Sequence, residues 1–116
     1  MRDLEHPGRS PVLSTNGMAA TSHPLATQAA VRVLQDGGNA LDAAVAACAV
    51  QCVVEPESTG IGGDCFCLYS PAGSTDIVAY NGSGRAPAAA TAQWYADNGI
   101  AEIEQQTPHS VTVPGA

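Results

Sequence analysis

The chain has 116 residues, 45% of them hydrophobic, and a formal net charge of −7. That length allows one domain at most, able to remove roughly two-thirds of its unfolded surface from water. Arg2, Arg9, Arg32 and Arg85 are the strong cations and Lys is absent, so there is no clustered basic face for a nucleic-acid partner and no amine in this segment for Schiff-base or P-loop chemistry.

Residues 1–17 hold Pro7, Gly8 and Pro11 among scattered charges. They lack the apolar run of about seven residues that a secretory signal requires, so they are read as a mobile leader. Residues 18–116 are read as one module with a cytoplasmic address. Met18–Thr21 reads as a short strand. Ser22 is placed to cap a first helix, with Pro24 in the first turn where its missing N–H is no loss. Leu25, Ala29, Val33 and Leu34 recur near helical spacing on one side, opposite Gln28, Arg32, Gln35 and Asp36, and Gly37-Gly38 supplies a left-handed stop.

Asn39 caps a second helix, with Asp42 three residues on in a capping-box arrangement favoured by the helix dipole. From Ala40 to Val54 nearly every position is apolar, so this helix is expected to lie sandwiched between other elements, its alanines letting neighbours approach closely. Its longest apolar stretch falls far short of the ~20 residues of a membrane span. Pro56 biases Glu55 away from helical angles and sets the exit. Gly60, Gly62 and Gly63 precede a strand at Cys65–Tyr69, the Ser70–Gly73 turn follows, and Asp76–Tyr80 completes a hairpin. Ala88–Asn98 reads as a third helix closed by Gly99 and anchored by Trp94 and Tyr95. Beyond Glu102 only Val111 and Val113 alternate like a short strand.

The cysteines at 48, 52, 65 and 67 are even in number, but the leader points to a reducing compartment, where reduced thiols are expected. Cys48 and Cys52 share a helix face and Cys65 and Cys67 a strand face, yet the spacing is not the two-residue knuckle of structural zinc. They are read as buried small hydrophobes. The Gly60–Gly63 run follows a helix and precedes a strand, the reverse of a phosphate loop, so a backbone-packing role is assigned to it. Glu55 and Glu57 are read as solvated acids at a helix exit rather than an acid/base pair, and His23 and His109 as structural. Arg85, held after glycines, suits two roles. It can present its fork to a substrate carboxylate, or it can pair structurally with a carbonyl or an acid.

In order along the chain, GMAATSHPLATQAA from Gly17, DGGNALDAAVA from Asp36, VVEPESTGIGG from Val53, APAAAT from Ala86 and TVPGA from Thr112 resemble the start of the large subunit in gamma-glutamyltranspeptidases and the related cephalosporin-type acylases. Those enzymes are N-terminal-nucleophile hydrolases. The resemblance implies an α+β chain of about three helices and a short hairpin, the N-terminal part of an αββα architecture. It also implies self-cleavage and a Thr or Ser nucleophile lying beyond Ala116, with no catalytic residue in this chain and no metal or organic cofactor. The implied partners are a small-molecule gamma-glutamyl or acyl-amide substrate and the remaining large- and small-subunit segments of the same enzyme, with no nucleic acid and no membrane. Asp64 stands where the family usually has a further Gly. In transpeptidases proper, an Arg three residues ahead of the Ala-Pro matching Ala86-Pro87 holds the alpha-carboxylate of the gamma-glutamyl group. That position here is Ser83, with Arg85 two residues later, so Arg85 and Ser83 are the candidate substrate-binding residues and the chain leans towards the acylase branch. A different class of reading is a free-standing, non-catalytic binding or interaction module derived from this fold.

Overall fold

The computed structural model describes residues 11–116, and the leader reading for residues 1–10 lies outside the described residues. Residues 11–17, the rest of the leader, contain no helix or strand. The order of elements is α1 (Pro24–Gln35), α2 (Ala40–Val54), β1 (Cys65–Tyr69), β2 (Val78–Gly82), α3 (Ala92–Asp97) and a 3-10 turn η1 (Pro108–Ser110).

The α1–α2 hairpin is dictated by its joint. Asp36 ends α1, Gly37 takes φ +93, and its N–H bonds the Leu34 carbonyl while Gly38 N–H bonds that of Val33. These are the paired bonds of a Schellman stop, which needs a residue tolerant of left-handed φ. Asn39 then accepts from Leu41 and Asp42 amides at 2.8 and 3.0 Å, and Asp42 returns a bond to Asn39 N–H at 3.0 Å, closing a capping box. α2 occupies the expected residues without shift.

The two helices meet through alanine. Ala26 and Ala30 of α1 and Ala43 and Ala47 of α2 are the buried hydrophobic residues among those described, flanked by Ala19, Val33, Leu34 and Val50. Small side chains at i and i+4 on both helices permit close backbone approach. The buried face of α1 thus centres one position away from the expected Leu25 and Ala29, and Leu25 is exposed. α2 is covered on this side only: Val45 and Val53 are 63% and 78% exposed. Met18–Thr21 forms no strand. Instead it lies beside the helix pair, where Met18, Ala19, Ala20 and Thr21 help line an apolar groove with Ala30, Ala43 and Ala47.

β1 and β2 pair antiparallel, with Cys65 opposite Gly82, Cys67 opposite Tyr80 and Tyr69 opposite Val78. β2 begins two residues later than expected. Ser74 N–H closes a turn on the Pro71 carbonyl, and the Ser74 hydroxyl accepts from Asp76 N–H at 2.9 Å, so Asp76 is held in the connection instead of the ladder. α3 starts at Ala92, not Ala88. Ala90 turns back onto Pro87, and Thr91 is the residue with a capping hydroxyl, accepting from Trp94 N–H at 3.1 Å. Trp94, Tyr95 and His109 stack mutually, with centroids 5.2 to 5.8 Å apart, and tie α3 to η1.

Candidate functional site

The site is built where β2 runs out. Asn81 Oδ1 accepts from Ser83 N–H at 3.2 Å, which turns the chain out of the strand. Gly84 follows with φ +76 and delivers Arg85. Residues 111–116 then return across this turn. Val113 N–H bonds the Arg85 carbonyl at 2.9 Å as an isolated antiparallel bridge, and the amides of Gly115 and Ala116 both bond the Gly63 carbonyl at 3.2 Å. Tyr80 Oη donates to the Gly115 carbonyl at 2.7 Å. Gly82 is buried under this crossing: a Cβ there would lie 2.5 Å from the Gly115 carbonyl oxygen and 2.6 Å from that of Cys65. Only glycine fits so close a backbone approach.

Ser83 and Arg85 therefore share one recess. It holds about 450 Å3 and is lined by Tyr80 to Arg85 on one side and Val113, Pro114 and Gly115 on the other. Both candidate side chains are exposed, and among the described residues no acidic side chain forms an ion pair with Arg85. A guanidinium in that position offers paired N–H donors to a planar anion. Its main chain meanwhile is fixed by the bridge to Val113.

A second constellation was not foreseen in the sequence. Glu55, the C-cap of α2, accepts hydrogen bonds on one carboxylate oxygen from Ser22 Oγ and from Gln51 Nε2, and Gln51 also donates to Ser22 at 2.8 Å. The Glu55 carbonyl takes the amides of Ser58 and Thr59. Glu55 is thus a clasp joining the start of α1 to the end of α2 and shaping the loop beyond, whereas Glu57 is exposed as expected. Ser22 is drawn into the clasp, so the cap of α1 is His23, whose Nδ1 accepts from Leu25 N–H at 3.2 Å.

Two further expectations are corrected. The tightly approached glycines near the site are Gly82, Gly84 and Gly115, while Gly60 and Gly62 have open space where a Cβ would point. The four thiols are free but not buried: Cys48 is exposed and Cys52, Cys65 and Cys67 are half-buried. Among the described residues they gather into no cluster suited to a metal ion, and no helix is long and apolar enough to cross a membrane.

The family model for gamma-glutamyltranspeptidase matches residues 26–116. The chain is 40% identical over 104 residues to the glutathione hydrolase-like YwrD proenzyme of Bacillus subtilis, covering 90% of this chain and 20% of that protein. It is 42% identical over 104 residues to the oxamate amidohydrolase proenzyme of Klebsiella pneumoniae, covering 89% and 19%. The chain therefore spans about one-fifth of the length of these curated relatives. Among solved structures, gamma-glutamyltranspeptidase of Helicobacter pylori superposes with a TM-score of 0.73 at 34% identity, covering 90% of this chain and 31% of that one. The enzyme of Pseudomonas nitroreducens in complex with L-DON gives 0.75 at 30% identity, covering 89% and 31%. The α+β arrangement of three helices and an antiparallel hairpin is accordingly the one found in those enzymes. With the matched model extending over most of its residues, the chain belongs to the gamma-glutamyltranspeptidase family.

Proposed function

We propose that this chain is the N-terminal segment of an αββα amide hydrolase or acyltransferase that cleaves gamma-glutamyl or related acyl amides. The nucleophile is a Thr or Ser, exposed by self-cleavage, that lies outside these residues. Its own alpha-amino group takes the hydroxyl proton, the oxygen attacks the amide carbonyl, the amine leaves carrying that proton, and the acyl group then passes from the nucleophile to water or to an acceptor amine. Two relatives named as proenzymes, one a glutathione hydrolase-like protein and one an oxamate amidohydrolase, support both the cleavage step and an amide substrate.

The observation that carries this segment's part is the exposed Arg85 guanidinium on the recess it shares with Ser83, unpaired with any acid among the described residues, while its peptide is clamped to Val113. In this reading Arg85 grips a carboxylate of the acyl donor and Ser83 contributes a hydroxyl beside it. The segment is a wall of the substrate pocket, and alone it turns nothing over.

The test is hydrolysis of chromogenic gamma-glutamyl and glutaryl anilides by the full-length protein, with glycylglycine as acceptor. Arg85→Ala is expected to raise KM for the carboxylate-bearing donor by about tenfold to a hundredfold, the scale of one charge-assisted contact. Arg85→Lys recovers part of this, since a point charge lacks the planar fork. Failure to cleave any such amide, or an Arg85→Ala enzyme with unaltered KM, refutes the reading; turnover by the 116-residue piece itself refutes the division of labour.

A further inference from the structure

We propose that Tyr80 is a positioning residue for the Arg85 turn: its phenol pins the returning strand at residues 111–116 across the turn and so sets the direction in which Arg85 reaches. The inference rests on the reading of Arg85 as the carboxylate anchor.

Three attachments hold the returning strand. Two are made by the main chain, the single bond from Val113 to Arg85 and the pair from the Gly115 and Ala116 amides to Gly63. The third is the Tyr80 hydroxyl on the Gly115 carbonyl, and among the described residues it is the side-chain hydrogen bond that reaches this strand. The main-chain bonds use no side-chain atom, whereas the Tyr80 bond depends on one side-chain oxygen. Its position follows from register: Tyr80 stands opposite Cys67, two residues before Gly82, so it lies on the same sheet face as the glycine over which Gly115 passes. Because the glycine contact leaves no room for a side chain on either backbone, the returning strand rests directly on the turn. Slackening it at Gly115 frees Val113, and Val113 is what fixes the Arg85 carbonyl. Tyr80 itself touches the recess wall but carries no charge suited to the substrate carboxylate, so its effect passes through Arg85.

Tyr80→Phe in the full-length protein removes the oxygen and keeps the ring. The expected result is a KM for the carboxylate-bearing donor raised about fivefold with kcat little changed, the scale of one neutral hydrogen bond. The effect should vanish when Arg85 is already Ala, and hydrogen exchange at the Val113 and Gly115 amides should speed up. An unmoved KM, or a penalty that adds in full to that of Arg85→Ala, overturns the positioning role while leaving the anchor reading intact. If Arg85→Ala alone leaves KM unchanged, both fall. A change in melting temperature with KM and exchange unaffected assigns Tyr80 to stability only and overturns the proposal.

Discussion

At the scale of single residues, the strongest determinants in this chain are groups whose identity cannot be exchanged without atomic conflict. Gly82 is the sharpest example, since an added methyl meets two carbonyl oxygens at 2.5 and 2.6 Å that belong to backbone and cannot swing away. Gly82→Ala is therefore expected to destabilise the full-length protein by several kcal/mol, about 3 or more, or to detach the returning strand altogether. A denaturant midpoint measured beside the wild type checks this, and an unchanged midpoint with unchanged exchange at Val113 contradicts the crossing. Glu55 is the second case. Its carboxylate is the common acceptor of Ser22 and Gln51, so Glu55→Ala removes two hydrogen bonds at the open end of the helix hairpin, leaves Gln51 only its bond to Ser22, and is expected to cost about 1–2 kcal/mol. Glu57→Ala, at an exposed position two residues away, is expected to stay within about 0.5 kcal/mol. Equal costs at the two positions would show that charge near the α2 exit, rather than the clasp, is what matters.

At the scale of elements, what could be read in advance was whatever local chemistry alone decides. The bounds of α2 follow from the Asn39–Asp42 capping box and from Pro56, both purely local signals. The stop at Gly37 and the strand at Cys65–Tyr69 are of the same kind. α3 starts later than the high helix propensity of alanine at 88–90 suggests, because its start obeys the cap at Thr91. β2 slid by two residues because its pairing partner, not its own pattern, sets its extent. For the site, Ser83 and Arg85 were visible as a motif, but the strand that crosses them is 28 residues further on from Arg85 at Val113 and contacts them through backbone, for which sequence has no marker beyond alternating valines and a Pro-Gly. The alanine seam between α1 and α2 carries its own prediction. Ala30 is 2% exposed and Ala43 4% exposed, so in the full-length protein Ala30→Leu forces the helices apart at a cost of about 1–3 kcal/mol, while Gln28→Leu, at an exposed position on the polar side of α1, is expected to be close to neutral. Comparable losses at both would show that α1 is covered on its polar side as well as along the alanine seam.

At the scale of the whole chain, the balance of covered and uncovered surface is that of a wall and not of a closed body. The buried hydrophobic residues among those described are alanines, while Phe66 and Leu68 on one face of the hairpin are 66% and 79% exposed and Val45 and Val53 on α2 are likewise uncovered. The Cα radius of gyration is 19.0 Å, against about 13 Å for a compact domain of this length. Large apolar side chains exposed together on a helix and on a hairpin face are the signature of a surface that another surface covers. In solution, the 116-residue chain by itself is expected to bind a hydrophobic dye such as ANS, to self-associate, and to melt without a cooperative transition. The decisive comparison is one substitution read in two contexts. Leu68→Lys removes exposed apolar surface from the isolated chain, so there it should lower dye binding and improve solubility. On the proposed reading, in which further polypeptide of the same protein covers this face, the same change in the full-length protein places a charge in a buried contact, so it should lower soluble yield and thermal stability by the cost of burying an unpaired ammonium, about 2 kcal/mol or more. The opposite signs are the point of the experiment: improvement in both contexts means that Leu68 faces water in the complete enzyme, and the hairpin is then an outer element of the fold instead of one of its interior layers.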